Sequence, residues 1–276
     1  MNTSEKADHL IERIASYRRC AVALSGGVDS AVVAKAAQLA LGDEAIAVTA
    51  RSPSVPASEI AEAQRVAAEI GIRHDIVDTQ ETANPLYVQN APDRCFHCKT
   101  ELYSQIEALV AAIEAPLIAN GANLDDQGDH RPGMLAAKNH QVRSPLIECG
   151  LTKNDVRELA QHWGLSVHDK PASPCLASRI AYGEEATPQR LAMIEAAEAY
   201  LRTHGLREFR IRYHRGDIAR IEVTPENIRP LATDPLRTEL TTKLRELGFR
   251  AVTLDLEGFR SGNLNSFVDL SAIRIE

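Results

Sequence analysis

Residues 20–30 read CAVALSGGVDS, and the fold follows from what this string can do. CAVAL is a short apolar run, suited to a strand buried in a parallel sheet. Gly26 and Gly27 let the backbone turn sharply and approach a ligand closely. From Asp29 to Leu41 the chain reads as an Ala-rich helix, apolar on most faces. Strand, glycine turn and helix start in succession present free N–H groups and the positive end of a helix dipole, which favour an anion. Ser25 and Ser30 add hydroxyl donors. Asp29 repels a phosphate, so it makes sense as a ligand, direct or through water, of the Mg2+ that a nucleotide carries. The spacing and the lysine of a Walker A loop are absent.

Outward from this string, strands and helices alternate. An amphipathic helix carries Leu10, Ile11, Ile14 and Tyr17, and further strands are expected at 45–50, 74–79 and 116–120. Helices are expected over 57–70, near 100–114 after DRCFHCK (93–99), and over 152–163, where Thr152 and Asp155 form a variant capping box. The alternation predicts an α/β fold, a doubly wound and mostly parallel sheet with helices on both faces. Ligands of such sheets bind beyond the carboxyl ends of the strands, where strand order reverses. After residue 183 the rhythm changes to a helix (187–204), a hairpin built from EFRIRYH (208–214) and IARIEV (218–223), a helix near 233–247 and a strand at 250–256. A smaller C-terminal α+β domain is expected, with domains 1–180 and 181–276 and the boundary falling between 171 and 186.

The 276 residues carry a net charge of −7, which argues against non-specific nucleic-acid binding. No apolar run approaches the ~20 residues needed to span a bilayer. The stretch MNTSEKADHLIERI lacks the apolar centre of a signal peptide, so a cytoplasmic location is expected. Five cysteines, an odd number, do not make a disulfide framework. Cys175 lies in SPCLASRIAYG (173–183), a loop in which Pro171 and Pro174 discourage helix and Arg179 is placed to favour a thiolate. Cys95 and Cys98 form a C-x-x-C pair, compatible with half a zinc site, a redox dithiol or part of an iron–sulfur cluster. With Cys175 they make three soft ligands, which His97 or His168 completes for zinc, or which leave one iron of a [4Fe–4S] cluster open. Cys20 and Cys149 are assigned to packing.

SGGVDS resembles the PP-loop of the ATP pyrophosphatases, which cleave ATP between its α- and β-phosphates. Together with RCFHCKTELY (94–103), GANLDDQGDHRPG (121–133) and SPCLASRIAYG, it resembles the LarE family, the sulfur-insertion enzymes of nickel-pincer nucleotide biosynthesis. The resemblance runs from about residue 10 into the second domain. It implies ATP-dependent adenylation of the carboxylates of a pyridinium-3,5-dicarboxylate mononucleotide, with sulfur then displacing AMP. It places the sulfur-donor position on Cys175 and, because Cys95 and Cys98 are present, a [4Fe–4S] cluster on the three cysteines. Sacrificial donation of the Cys175 sulfur, with C-x-x-C structural or zinc-bound, is the alternative.

The same resemblance assigns ATP to Ser25, Gly26, Gly27, Asp29, Ser30, Thr49, Lys99, Gly121 and Asp126, and Mg2+ to Asp29. Arg210 and Arg212 share a strand face by period-two alternation and would grip the 5′-phosphate of the substrate. Asp125, Asp126 and Asp129 repel one another unless a cation, Arg131 or helix N-termini offset them. Glu198 and Glu222 fall near acidic positions of the family. Partners implied are the mononucleotide, a sulfide source and further copies of the chain in a homo-oligomer, with no nucleic acid and no membrane. Two rival readings are a tRNA thiolase and a non-catalytic nucleotide sensor.

Overall fold

The computed structural model describes residues 1–112, 117–128, 132–260 and 263–264. Its helices run, in chain order, α1 (Thr3–Ala15), α2 (Val28–Leu41), α3 (Ala57–Ile70), α4 (Pro85–Val88), α5 (Arg94–Ala112), α6 (Pro132–Asn139), α7 (Pro145–Glu148), α8 (Lys153–His162), α9 (Pro188–Thr203), α10 (Pro225–Leu231) and α11 (Leu236–Glu246). The strands are β1 (Cys20–Ala23), β2 (Ala45–Arg51), β3 (Arg73–Asp78), β4 (Ile118–Ala119), β5 (Phe209–His214), β6 (Ile218–Val223) and β7 (Ala251–Leu254). Contacts divide the chain into two compact units, Met1–Glu81 with Cys95–Ser173, and Thr82–Arg94 with Pro174–Glu276. Among the described residues no helix is long and apolar enough to cross a membrane.

The first unit holds a parallel sheet of order β3-β2-β1-β4. Alternation along β1 and β2 sends Cys20, Val22, Ala45 and Ala47 into one core with α1, α2, α3 and α8. It sends Ala21, Ile46 and Val48 into the other, against α5 and α6. α2 is apolar nearly all round, and Ala31, Val32, Val33, Ala34, Ala36 and Ala37 are all fully buried, as such a helix requires. α8 starts at the expected capping box, with Thr152 Oγ1 accepting from Asp155 N and Asp155 Oδ2 accepting from Thr152 N at 2.8 Å. The strand order steps outward from β1 to β3 on one side and then to β4 on the other, so the reversal lies between β1 and β4. The glycine turn leaves β1 at that point.

The second unit is built on the sheet β5-β6-β7. β5 and β6 form the expected antiparallel hairpin, and β7 adds parallel to β6. α9 packs on β5. The sequence places the division at 180/181 and gives the whole N-terminal stretch to one domain. Contacts instead divide the chain at 173/174 and give Thr82–Arg94 to the second unit. The physical reason is backbone satisfaction. Asn90, fully buried, donates from Nδ2 to Ala181 O at 2.9 Å, and Ala186 N donates to Val88 O at 2.8 Å. These bonds are invisible in a local pattern.

Gly121, just beyond β4, presses on the start of α2. A Cβ there would stand 2.6 Å from Ser30 N and 2.9 Å from Asp29 C, both backbone atoms that cannot turn aside. Gly121→Ala is therefore expected to push β4 and α2 apart, costing about 1–3 kcal/mol of overpacking. Urea unfolding measures that loss directly.

Candidate active site

α2 begins at Val28 with Gly27 as its N-cap, and glycine brings no side chain to cap the helix. The first-turn N–H groups are left to a ligand. Ser25 is exposed at the mouth, with its Oγ 3.1 Å from Ser30 Oγ and accepting from Gly27 N at 3.4 Å. Ser30 Oγ donates to Gly27 O at 3.1 Å and accepts from Ser25 N at 3.1 Å, so the two hydroxyls stitch the turn together. Gly26 has φ +74°, and a Cβ on it would stand 3.0 Å from Ala63 N of α3. Left-handed backbone and close approach together demand glycine.

Asp29 has both carboxylate oxygens engaged. Lys153 donates to Oδ2 at 2.5 Å and Asn123 Nδ2 to Oδ1 at 3.1 Å. On the other side of the turn, Lys170 Nζ donates to Gly26 O at 3.0 Å and to Glu59 at 2.7 Å. Sequence reasoning does not find Lys153 and Lys170. The missing Walker lysine is the signal that cations have to come from elsewhere in the chain. Asp125 accepts from Lys153 N at 2.8 Å, at the head of α8, and Asp126 accepts from Asn123 N at 3.0 Å. Backbone donors thus offset these two carboxylates; Asp129 and Arg131 lie outside the described residues.

Thr49 is buried in β2, two residues before its end. Its hydroxyl donates to Leu24 O at 2.7 Å, which leaves it to accept from His74 Nε2 at 2.8 Å. Burial lowers the His74 pKa, in keeping with a neutral ring protonated on Nε2. The Lys99 stem packs on Gly133, where a Cβ would meet Lys99 Cγ at 3.2 Å. α5 starts at Arg94, ahead of the start expected near residue 100, so C-x-x-C lies in the first turn of a helix. Pro92 and Asp93, immediately upstream, are the helix-start signals that point to this. Spacing of three residues sets Cys95 and Cys98 on one helix face, Cys95 exposed and Cys98 half-buried.

In the second unit, Cys175 is half-buried and directly precedes a 3-10 turn over Leu176–Arg179. Arg179 points its guanidinium at carbonyls and not at sulfur. It donates to Pro174 O, to Cys175 O at 2.9 Å and, through Nε, to Glu198 at 3.1 Å. Arg94 donates to Ala177 O at 2.8 Å and Arg212 to Ser178 O at 3.0 Å. Three guanidiniums therefore hold the carbonyls of Pro174, Cys175, Ala177 and Ser178 around the cysteine. Arg212 is also paired with the fully buried Glu222 at 2.9 Å. Arg210, on the same face of β5, stacks on Phe259 at 5.0 Å and has no carboxylate partner among the described residues. Burial, with Arg179 and Arg212 close by, pushes its pKa down to about 10 against the opposing pull of Glu198 and Glu222, so it stays a cation at neutral pH.

Against known proteins, the asparagine synthase family profile matches residues 7–107. The pyridinium-3,5-bisthiocarboxylic acid mononucleotide synthase of Lactiplantibacillus plantarum is 36% identical over 93% of this chain and 92% of its own length. The chain belongs to the LarE family. An uncharacterised protein of Synechocystis sp. is 44% identical over 94% of this chain and 97% of its own. The tRNA-specific 2-thiouridylase MnmA of Beijerinckia indica is 28% identical over 56% of this chain and 44% of its own.

The residues that the LarE resemblance names divide between the units. The glycine turn, Thr49, Cys95, Cys98, Lys99, Gly121 and Asp126 belong to the first, and Cys175, Arg210 and Arg212 to the second. Among the described residues no group of three or more His, Cys, Asp and Glu side chains is gathered to hold a metal ion. None of the five cysteines is in a disulfide. Burial raises the Cys20 thiol to about 12 and the Cys149 thiol to about 11, which keeps both protonated and inert as packing groups.

Arg179 and Glu198 are each at most 2% exposed, so neither tolerates loss of the other. Arg179→Met is expected to cost about 3–5 kcal/mol, the scale for stranding a buried charge. Adding Glu198→Gln should restore part of it, and urea midpoints of both variants measure the coupling.

Proposed function

We propose that this chain is an ATP-dependent sulfurtransferase that converts both carboxylates of a pyridinium-3,5-dicarboxylate mononucleotide to thiocarboxylates for later nickel capture. The observation that carries the reading is kinship with the Lactiplantibacillus plantarum synthase over 93% of the chain. A carboxylate is a poor electrophile. Its oxygen attacks the α-phosphorus of ATP, pyrophosphate leaves, and the acyl adenylate then has AMP as leaving group. Sulfur attacks the carbonyl carbon, AMP departs, and one thiocarboxylate forms per ATP.

The uncapped turn of α2, with Ser25, Gly26, Gly27 and Ser30, takes the phosphates, and Thr49, Lys99, Gly121 and Asp126 complete the ATP site in this reading. Mg2+ falls to Asp29, whose oxygens keep further lone pairs beside Lys153 and Asn123. Arg210 and Arg212 take the substrate 5′-phosphate. Arg210, a cation with no direct carboxylate partner among the described residues, supports that role, with Arg212 held in place by Glu222 and Ser178. Cys175 stands at the sulfur position, in a loop whose carbonyls are pinned by arginine. The net charge of −7 counts against an RNA substrate.

The sulfur source is assigned to a [4Fe–4S] cluster with Cys95, Cys98 and Cys175 as ligands. The shared helix face of Cys95 and Cys98 suits two thiolate ligands, and such a cluster would supply sulfide to the acyl adenylate. A separate sulfide donor and a homo-oligomer belong to the same reading.

Anaerobic purification tests it. The expected protein is brown, forms thiocarboxylate with repeated turnover, and loses colour in Cys98→Ser. A colourless protein whose mass falls by one hydrogen sulfide per turnover makes Cys175 the sacrificial donor instead. Full product formation by Cys175→Ser would remove sulfur transfer from this loop altogether.

A further inference from the structure

We propose that Lys170 is a positioning residue of the nucleotide site: its ammonium orients and polarises the Gly26–Gly27 peptide so that the Gly27 N–H receives the pyrophosphate part of ATP. The inference rests on the reading of the glycine turn as the phosphate site. It is independent of where the sulfur comes from.

The geometry is specific. Lys170 Nζ lies 3.0 Å from Gly26 O and 2.7 Å from a Glu59 carboxylate oxygen, with the lysine side chain 18% exposed. Gly26 C=O and Gly27 N–H belong to one peptide unit, which is trans. In a planar trans peptide the two bonds point in opposite directions. An ammonium on the carbonyl side therefore aims the N–H to the far side, where Ser25 Oγ lies 3.4 Å away at the open start of α2. A cation on the carbonyl also draws electron density from the amide and strengthens the N–H as a donor.

Gly26 is confined at two points: Lys170 holds its carbonyl, and a Cβ added to it would stand 3.0 Å from Ala63 N of α3. Glu59, in the first turn of the same helix, fixes the lysine. Because Glu59 offsets much of the Lys170 charge, the lysine acts by aiming the peptide and not as a bare counter-ion. It supplies through the backbone what a P-loop lysine supplies by direct contact. The residue also precedes Pro171, which stiffens the chain just after the anchor.

Binding of Mg–ATP, inorganic pyrophosphate and AMP to the whole chain, measured by calorimetry alongside thermal midpoints, tests the proposal. Lys170→Met and Lys170→Gln are expected to weaken ATP and pyrophosphate by about ten-fold or more, the scale of one charge-assisted hydrogen bond. AMP affinity should stay within about two-fold, since it lacks the β- and γ-phosphates that the turn receives. Lys170→Arg, which keeps a cationic donor, should recover most of the loss. A merely structural role would lower all three affinities with the thermal midpoint and would overturn the proposal. So would unchanged pyrophosphate binding in a folded Lys170→Gln. A wild-type chain that binds neither ATP nor pyrophosphate would remove the phosphate site itself, and with it the inference.

Discussion

The candidate nucleotide site depends on one helix whose first turn is left without a side-chain cap. α1 and α8 close their N-termini with the side chains of Asn2 and Thr152, whereas α3, α7, α10 and α11 share with α2 the lack of a side-chain cap. α2 begins on Gly27, directly behind a buried strand. The donors of its first turn are therefore a standing demand for an anion. Three glycines allow the arrangement. Gly26 bends against α3, Gly27 starts the helix, and Gly121 lets the end of β4 close on Ser30. Gly26 and Gly121 both press on backbone, so the turn has almost no freedom to relax.

A second, different constraint governs the cysteine loop. An irregular segment leaves carbonyls without strand or helix partners. Here Arg94, Arg179 and Arg212 satisfy them, and Glu198 and Glu222 hold two of those arginines in place. Burying so many charges is costly unless each is paired and hydrogen-bonded. Arg179 and Arg212 meet that condition, whereas Arg210 has no direct carboxylate partner among the described residues and stacks on Phe259.

Much of the first unit is legible because its signals are local. A buried strand, two glycines and an apolar helix lie within one short stretch, from Cys20 to Leu41. The limits of α3 follow from its amphipathic repeat, and those of α8 from its capping box. Alternation around RGD gives the hairpin of β5 and β6. α5 starts at Arg94, ahead of its expected place near residue 100, because Pro92 and Asp93 start the helix before the C-x-x-C pair. The short α4, which lies in Thr82–Arg94, has too few residues to show a period.

Sequence alone determined the class of the sheet, the glycine turn at the start of α2, and the candidate sulfur at Cys175, because each is encoded by neighbours within a few positions. It also determined family membership, since likeness is summed along the whole chain. Tertiary structure decided which cations serve the turn and which groups hold the loop. Lys170 meets Gly26 from 144 positions away, and Arg94 meets Ala177 from 83. Such pairings are made by the packing of helices and strands within each unit, and a buried polar group takes whichever partner that packing brings within reach.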